Sequence, residues 1–113
     1  MSVNLTTIKD GIGVLEISGP LLGGDEIDAF RSGVHRAIAQ NLSKLVIDVT
    51  EITFINSAAV GVLVSALISY SRRGWQIRLA GVNKAVYTIL KVTKLNLALQ
   101  SHDTREEAVN SFV

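Results

Sequence analysis

Apolar and polar residues alternate along two short segments near the start of the chain, residues 3–9 and 12–18. Asp10-Gly11, a dipeptide typical of tight turns, stands between them, so the pattern predicts a β-hairpin. A helical spacing follows over residues 24–40, where Gly24 or Asp25 is expected to cap the helix. The inward face of this helix would carry Ile27, Phe30, Val34, Ala37 and Ile38.

Strands and helices alternate along the rest of the chain. Residues 44–49 are apolar up to Asp48, which suits a central strand covered on both faces. The pattern then predicts a helix over 57–72, a strand over 75–80, a helix from Asn83 to about Lys91 with Val92 near its inward face, a weaker strand over 95–100 and a last helix that Asp103 begins. This order predicts an α/β fold with a mixed, mainly parallel central sheet of about five strands and about four helices.

Length and composition limit the kind of protein. The 113 residues contain no linker or low-complexity segment, so one domain over residues 1–113 is expected. Cysteine is absent, which excludes thiol catalysis, thiolate metal sites and disulfides. The net charge is +1 with lysines and arginines scattered among acidic residues, so nucleic acid is not an expected partner.

An uncharged run over residues 52–71 has the length of a membrane-spanning helix. Polar residues interrupt it at intervals, and strand patterns flank it on both sides. The chain also starts without a signal-peptide pattern. We therefore expect a cytoplasmic protein with no direct membrane insertion.

Ser57 is the leading functional candidate, because it stands where the central strand pattern gives way to a long helix. Its hydroxyl is expected to be the N-cap, and a phosphate there would be stabilised by unpaired N–H groups and the helix dipole. A purely structural cap is the alternative. Asp48, at the carboxyl end of the central strand, could be a functional group or could bond loop amides.

Small residues recur at every fourth position of the 57–72 helix, opposite an apolar side that carries Val60, Leu63, Val64, Leu67 and Ile68. We call Ser57, Gly61, Ser65 and Ser69 the small-residue stripe. The stripe would let another surface come close, or it would merely suit crowded helix-sheet packing. Leu21 and Leu22 are expected to be exposed near the same end of the sheet.

Catalytic and metal-binding constellations are scarce in the sequence. His35 and His102 lack companions at metal-ligand spacing, and the segments around Gly11 and Gly81 lack the lysine and hydroxyl of a P-loop. We predict no catalytic residue, no metal and no cofactor. The rival from another class is a phosphate- or nucleotide-binding enzyme that uses Ser57 and Asp48, but no general base accompanies them.

Two segments carry a family resemblance. Leu45-Val46-Ile47-Asp48-Val49 followed by Phe54-Ile55-Asn56-Ser57-Ala58-Ala59-Val60-Gly61 resembles the signature of STAS domains of the bacterial anti-sigma-factor antagonist group. The likeness continues through residues 73–74, 77–82, 86–97 and 106–109, almost the entire chain.

The resemblance implies a mechanism in which Ser57 is phosphorylated by a partner that is both anti-sigma factor and ATP-dependent serine kinase. The unphosphorylated form would bind this partner and free the sigma factor, and a serine phosphatase would reset the switch. We expect the docking face to be made of apolar or small groups that the sheet core does not obviously use. With Asp48 in support, these partner-binding residues are Leu21, Leu22, Gly23, Gly24, Asp25, Asn56, Ser57, Ala58, Gly61 and Ser65. The sequence does not decide whether the chain also forms a homodimer.

Four positions depart from the family's usual pattern. Asn56 stands where aspartate is usual, Ala58 where a second hydroxyl is common, Ala59 where glycine is common, and Lys94 where glycine often ends the later helix. The same departures fit stressosome-like scaffold subunits and the STAS component of lipid-transport ATPase complexes. The sequence thus predicts a non-enzymatic binding module, with a phosphorylation-switched antagonist ahead of constitutive docking.

Overall fold

The protein folds into one mixed five-stranded sheet with four helices, as the sequence predicts. The computed structural model describes residues 2–9, 11–19 and 24–112, and only the backbone of Ser2. In chain order the elements are β1 (Ser2–Lys9), β2 (Ile12–Ser18), α1 (Gly24–Ala39), β3 (Lys44–Glu51), α2 (Ser57–Arg72), β4 (Gln76–Ala80), α3 (Lys84–Val92), a 3₁₀ turn (Leu95–Leu97), β5 (Gln100–His102) and α4 (Arg105–Asn110).

The strands lie in sequence order, β1-β2-β3-β4-β5. β1 pairs with β2 in antiparallel register, and β2 to β5 are parallel to one another. Each parallel step crosses over through one helix in the same direction, so α1, α2 and α3 share one face of the sheet. All three helices therefore begin at the edge where the parallel strands end, the carboxyl edge, and finish at the opposite amino edge.

Alternate residues of the central strands contribute to two hydrophobic cores, one on each face of the sheet. Leu45, Ile47 and Val49 of β3 join the larger core beneath α1, α2 and α3, together with residues such as Leu15 and Leu79. On the other face, the short helix α4 covers a smaller core that is made of Ile12, Val14, Val46, Ala80, Ala108 and Val109. Burial on both faces explains why the sequence of β3 is nearly all apolar.

Asp48 is the one buried charged residue in the described part of the chain, and it ties β3 to α4. Its Oδ1 accepts hydrogen bonds from the Thr50 N–H at 3.0 Å and the Thr50 hydroxyl at 2.6 Å. Its Oδ2 accepts from Arg105 Nε at 2.9 Å and Nη2 at 2.8 Å, and Nη2 also donates to Glu16. Burial alone would raise the pKa of Asp48, but the bonds from Thr50 and Arg105 outweigh it and hold the pKa below its ordinary value.

The predicted strand over 95–100 is wrong. Leu95 and Leu99 are buried four residues apart whereas Leu97 is 81% exposed, which is a helical spacing and not a strand alternation. The chain makes the 3₁₀ turn there, and β5 is only Gln100–His102.

Two details of the last helices also differ from expectation. Thr104, and not Asp103, caps α4, because its hydroxyl accepts from the Glu107 N–H at 3.1 Å. Val92 ends α3 and is 76% exposed, so it does not face inward.

The Asp48–Arg105 pair generates a pH prediction. Because the folded-state pKa of Asp48 lies below its ordinary value of 3.8, ionised Asp48 stabilises the fold above that value, and this stability is lost as the pH falls through the folded-state pKa. We expect the free energy of unfolding, measured in urea at a series of pH values, to decline on acidification below about pH 5. The Asp48→Asn variant should lack this part of the decline.

At neutral pH, Arg105→Gln should lower the free energy of unfolding by about 1–3 kcal/mol, because the buried carboxylate keeps only Thr50 as its donor. Arg31→Gln is the matched control, since its ion pair with Asp28 is exposed and should contribute at most about 1 kcal/mol. An Arg105→Gln chain as stable as wild type would contradict the structural role of this pair.

Candidate functional site

Helix α2 begins one residue earlier than a Ser57 cap would require. Asn56 is the N-cap: its backbone is extended, and its side-chain oxygen accepts from the Ala59 N–H at 3.0 Å. Ser57 is the first residue inside the helix, so the prediction that its hydroxyl is the cap is wrong. Asparagine caps helices as well as serine does, and here Asn56, the earlier of the two residues, is the N-cap.

The Ser57 side chain is exposed at the positive end of a 16-residue helix. By helix geometry, the N–H groups of Ser57 and Ala58 have no intrahelical acceptor. The first turn of α2 contains no acidic residue, whereas α1 has Asp25 and Glu26 in its first turn. The partial positive charge at this end of α2 is therefore not offset by a carboxylate in the first turn. A negative group on Ser57 would be stabilised by that charge.

The loop that leads into α2 is held in place by contacts with the segment that connects β4 to α3. Asn83 caps α3 by accepting from the Val86 N–H at 2.8 Å, and its side-chain amide donates to the Ile52 carbonyl at 2.9 Å. Gly81 has φ +71°, and a Cβ there would lie 1.9 Å from Thr50 Oγ1. Glycine is thus required where β4 exits, because the chain passes directly against the end of β3.

The small-residue stripe lies largely on the surface. Ser57, Gly61 and Ser65 are exposed, and a Cβ added at Gly61 would meet no atom within 4 Å. The packing alternative is therefore wrong for these three residues. Further along the stripe, Ser65 and Ser69 line a cavity of about 140 Å³ between α1 and α2.

The buried side of α2 differs from the predicted apolar side. It is made of Ala59, Val62, Leu63, Ala66 and Tyr70, while Val60, Val64 and Leu67 are half-buried and Ile68 is 45% exposed. Small alanines let the helix lie close to the sheet, which rotates the larger aliphatic side chains outward.

The structure brings most of the predicted site residues to one end of the molecule. Gly24 and Asp25 at the start of α1 and residues 56–58 at the start of α2 all lie at the carboxyl edge. Gly24, Asp25 and Ala58 are exposed, and Asp48 lies beneath in the sheet. The predicted Leu21, Leu22 and Gly23 fall outside the described residues.

Phe54 is a surface residue that the sequence reasoning did not select. It is 51% exposed, and with Ile55, Ala85, Thr88 and Ile89 it surrounds a largely apolar cavity of about 300 Å³. The sequence does contain a signal for Phe54 as a site residue, because it is an aromatic residue two positions before a helix cap in a loop without charges. The exposed surface around Ser57 thus continues across the loop onto α3.

The part of the chain that the structure describes contains no assembled metal site. No cluster of three or more histidine, cysteine or carboxylate side chains is placed to hold a metal there. Within the same residues, no helix has both the length and the apolar content to cross a bilayer.

Comparison with solved structures shows the same architecture in proteins of low sequence identity. SpoIIAA, an anti-sigma factor antagonist, matches in its unphosphorylated form with a TM-score of 0.80 and 18% identity, covering 98% of this chain and 97% of that one. Bacillus SpoIIAA in its phosphorylated form matches with 0.80 and 16%, covering 99% and 100%. A sulfate transporter family protein from Wolinella succinogenes matches with 0.79 and 22%, covering 94% and 88%.

The sequence itself matches the STAS domain over residues 5–108, which begin within β1, span β2 to β5 and α1 to α3, and reach into α4. This match covers nearly the whole chain and agrees with the signature around Asp48 and Ser57. The chain belongs to the STAS domain family.

Proposed function

We propose that this chain is a regulatory protein-binding module, an anti-sigma-factor antagonist that binds an anti-sigma factor with serine kinase activity and is switched by phosphate on Ser57. The observation that carries the proposal is the exposed Ser57 hydroxyl at the first position of α2, one turn before the unobstructed Gly61. A kinase can reach such a hydroxyl, and a partner surface can approach such a helix closely.

The unphosphorylated chain would bind through small side chains. Ser57, Ala58 and Gly61 leave the backbone of α2 near the surface, and half-exposed Phe54 supplies an apolar anchor beside them. The same edge also carries Asp25, Glu26 and Glu51, so the docking surface of the partner is expected to be basic.

Phosphorylation would act on the interface and not on the fold. A phosphate adds about −1.5 to −2 charges, which the N-terminus of α2 stabilises locally while the added bulk and charge disrupt a close interface. The likeness to SpoIIAA supports this, because its phosphorylated and unphosphorylated forms both match this chain with a TM-score of 0.80. In that protein, phosphate and the STAS fold are compatible.

The proposal includes a serine phosphatase that removes the phosphate and a location in the bacterial cytoplasm, where sigma factors and ATP-dependent kinases act. It assigns no enzymatic activity to the chain itself.

Constitutive docking in a transporter complex or a stressosome-like scaffold is the second candidate. Two observations favour it: Asn56 lacks the charge of the usual aspartate, and a sulfate transporter family protein shares the fold. Ser57→Asp separates the two candidates. It should abolish partner binding if the chain is a phosphorylation switch, and it should leave binding unchanged if docking is constitutive and does not involve Ser57.

Phosphate is expected on Ser57 when the chain is incubated with ATP and its kinase, purified or in a lysate of the source organism. The hydroxyl is exposed, and the helix end stabilises the product. Mass spectrometry locates the phosphate. Ser57→Ala should incorporate none, while Ser65→Ala, an exposed serine of the same stripe, should behave as wild type. Phosphate on Thr53 or Ser65 with Ser57 unmodified would contradict the assignment.

Asn56→Asp should preserve the cap, since aspartate accepts the same bond from the Ala59 N–H and adds a charge that the helix dipole favours. We expect the free energy of unfolding to stay within about 0.5 kcal/mol of wild type or to rise, and the phosphorylation rate to increase. Asn56→Ala is the control and should lose about 1 kcal/mol of stability. Equal phosphorylation rates for Asn56→Asp and wild type would show that the absent carboxylate is not limiting.

Gly61→Arg should weaken partner binding by about 1–3 kcal/mol, because a long charged side chain would occupy the close approach. The melting temperature should stay nearly unchanged, since the position is open to solvent. Gly61→Ala is the matched control: it should keep binding and gain up to about 1 kcal/mol of stability from helix propensity. Normal binding by Gly61→Arg in calorimetric titration would place the interface elsewhere.

A further inference from the structure

The charged residues are segregated between the two edges of the sheet, although they look scattered along the sequence. The carboxyl edge carries most of the acidic residues, which lie at helix starts and strand ends: Asp25, Glu26, Asp28, Glu51, Asp103 and Glu107. It also carries two cations, Lys84 and Arg105, and Glu106 of α4 lines a cavity together with Lys9. The amino edge carries the basic ones: Lys9, Arg36, Lys44, Arg72, Arg73, Lys91 and Lys94. Between Glu51 and Asp103 the sequence contains no carboxylate at all.

Part of this segregation has a local cause. Arg36, Arg72 and Lys91 lie in the last turns of α1, α2 and α3, where a cation offsets the partial negative charge of a helix end. Arg73 donates to the Ser69 carbonyl at 2.9 Å and lies 5.6 Å from the Trp75 ring. Helix dipoles therefore explain the sign of several of these charges.

Helix dipoles do not explain the apolar residues at the same edge. Val92 is 76% exposed and Leu97 is 81% exposed. Val92 lies between the exposed Lys91 and Lys94 in the sequence, and Leu97 follows three residues after Lys94; nothing in the described part of the chain covers Val92 or Leu97. Two large aliphatic side chains exposed beside lysines form a small apolar patch of the kind that a lipid interface would bury.

We propose that the amino edge docks on an anionic phospholipid surface. The cations come from five elements, β1, α1, β3, α2 and the end of α3, so they are spread across the width of the sheet and suit an extended planar charge. Val92 and Leu97 would enter the interfacial layer between the head groups. Asp10 adjoins Lys9 in the sequence and lies outside the described residues; it would offset one of the seven cations.

A bilayer fits this edge better than an acidic protein does. The centres of protein interfaces are rich in aromatic residues and poor in lysine, whereas the exposed apolar residues here are aliphatic and their neighbours are lysines. The contact is peripheral and needs no spanning segment. It would also direct the carboxyl edge, with Ser57, away from the lipid and toward soluble partners.

Sedimentation with vesicles tests the proposal. The folded chain should bind mixed phosphatidylglycerol–phosphatidylcholine vesicles at low ionic strength, lose binding as salt is added, and not bind vesicles of phosphatidylcholine alone. Lys91→Glu/Lys94→Glu should weaken binding at least about 25-fold, since each lysine near an anionic surface contributes about fivefold. Leu97→Ser, which changes no charge, should weaken it about tenfold.

Lys84→Glu is the matched control, because Lys84 is an exposed lysine at the other end of the same helix α3. It should bind nearly as wild type does, and the melting temperatures of all variants should confirm that they are folded. Equal losses from Lys84→Glu and from the single variant Lys91→Glu, which change the net charge by the same amount, would mean that only net charge matters and would overturn the proposal. Failure of the wild-type chain to bind the anionic vesicles, with binding to polyglutamate instead, would assign the edge to an acidic protein.

Discussion

The burial of β3 on both faces is the constraint on which the rest of the structure depends. A strand with Leu45, Val46 and Ile47 fully buried must have cover above and below, so helices have to lie on both faces of the sheet. Three of them reach one face through crossovers in the same direction, and this brings the starts of α1, α2 and α3 to one edge. The position of Ser57 follows from this topology and does not need a specialised loop.

The end of β3 is then fixed by polar contacts that continue into its neighbours. Arg105 of α4 donates hydrogen bonds to Asp48, and Asp48 accepts another from the Thr50 N–H. Thr50 lies against Gly81, and Asn83 bonds the Ile52 carbonyl. The connection between β3 and α2 is therefore anchored from both faces of the sheet before the helix begins. A phosphate on Ser57 would be added to a rigid support, which is why we expect its effect to be confined to the interface.

Much of this could be predicted from the sequence, because apolar periodicity is dictated by burial. The bounds of α2 were predictable from its uncharged run and the cations at its end. The choice of Asn56 over Ser57 as cap was not, since both side chains can accept the same bond and the backbone decides between them. Residues 95–100 are misassigned by the pattern because Leu95, Leu97 and Leu99 alternate as they would in a strand, although the exposed Leu97 belongs to a 3₁₀ turn. The two charged edges could not be predicted from the sequence, because their residues come from segments that are distant in the chain and meet only in the fold.

Hydrogen exchange, followed by mass spectrometry, tests the central claim that the carboxyl edge is the docking face and that phosphate acts there alone. We expect the bound anti-sigma partner to slow exchange over residues 51–65 and in the first turn of α1, and we expect phosphate on Ser57 to remove this protection without changing exchange in β3. Protection confined to residues 72–76 and 91–97 would contradict the claim, and so would faster exchange throughout the core of the phosphorylated chain.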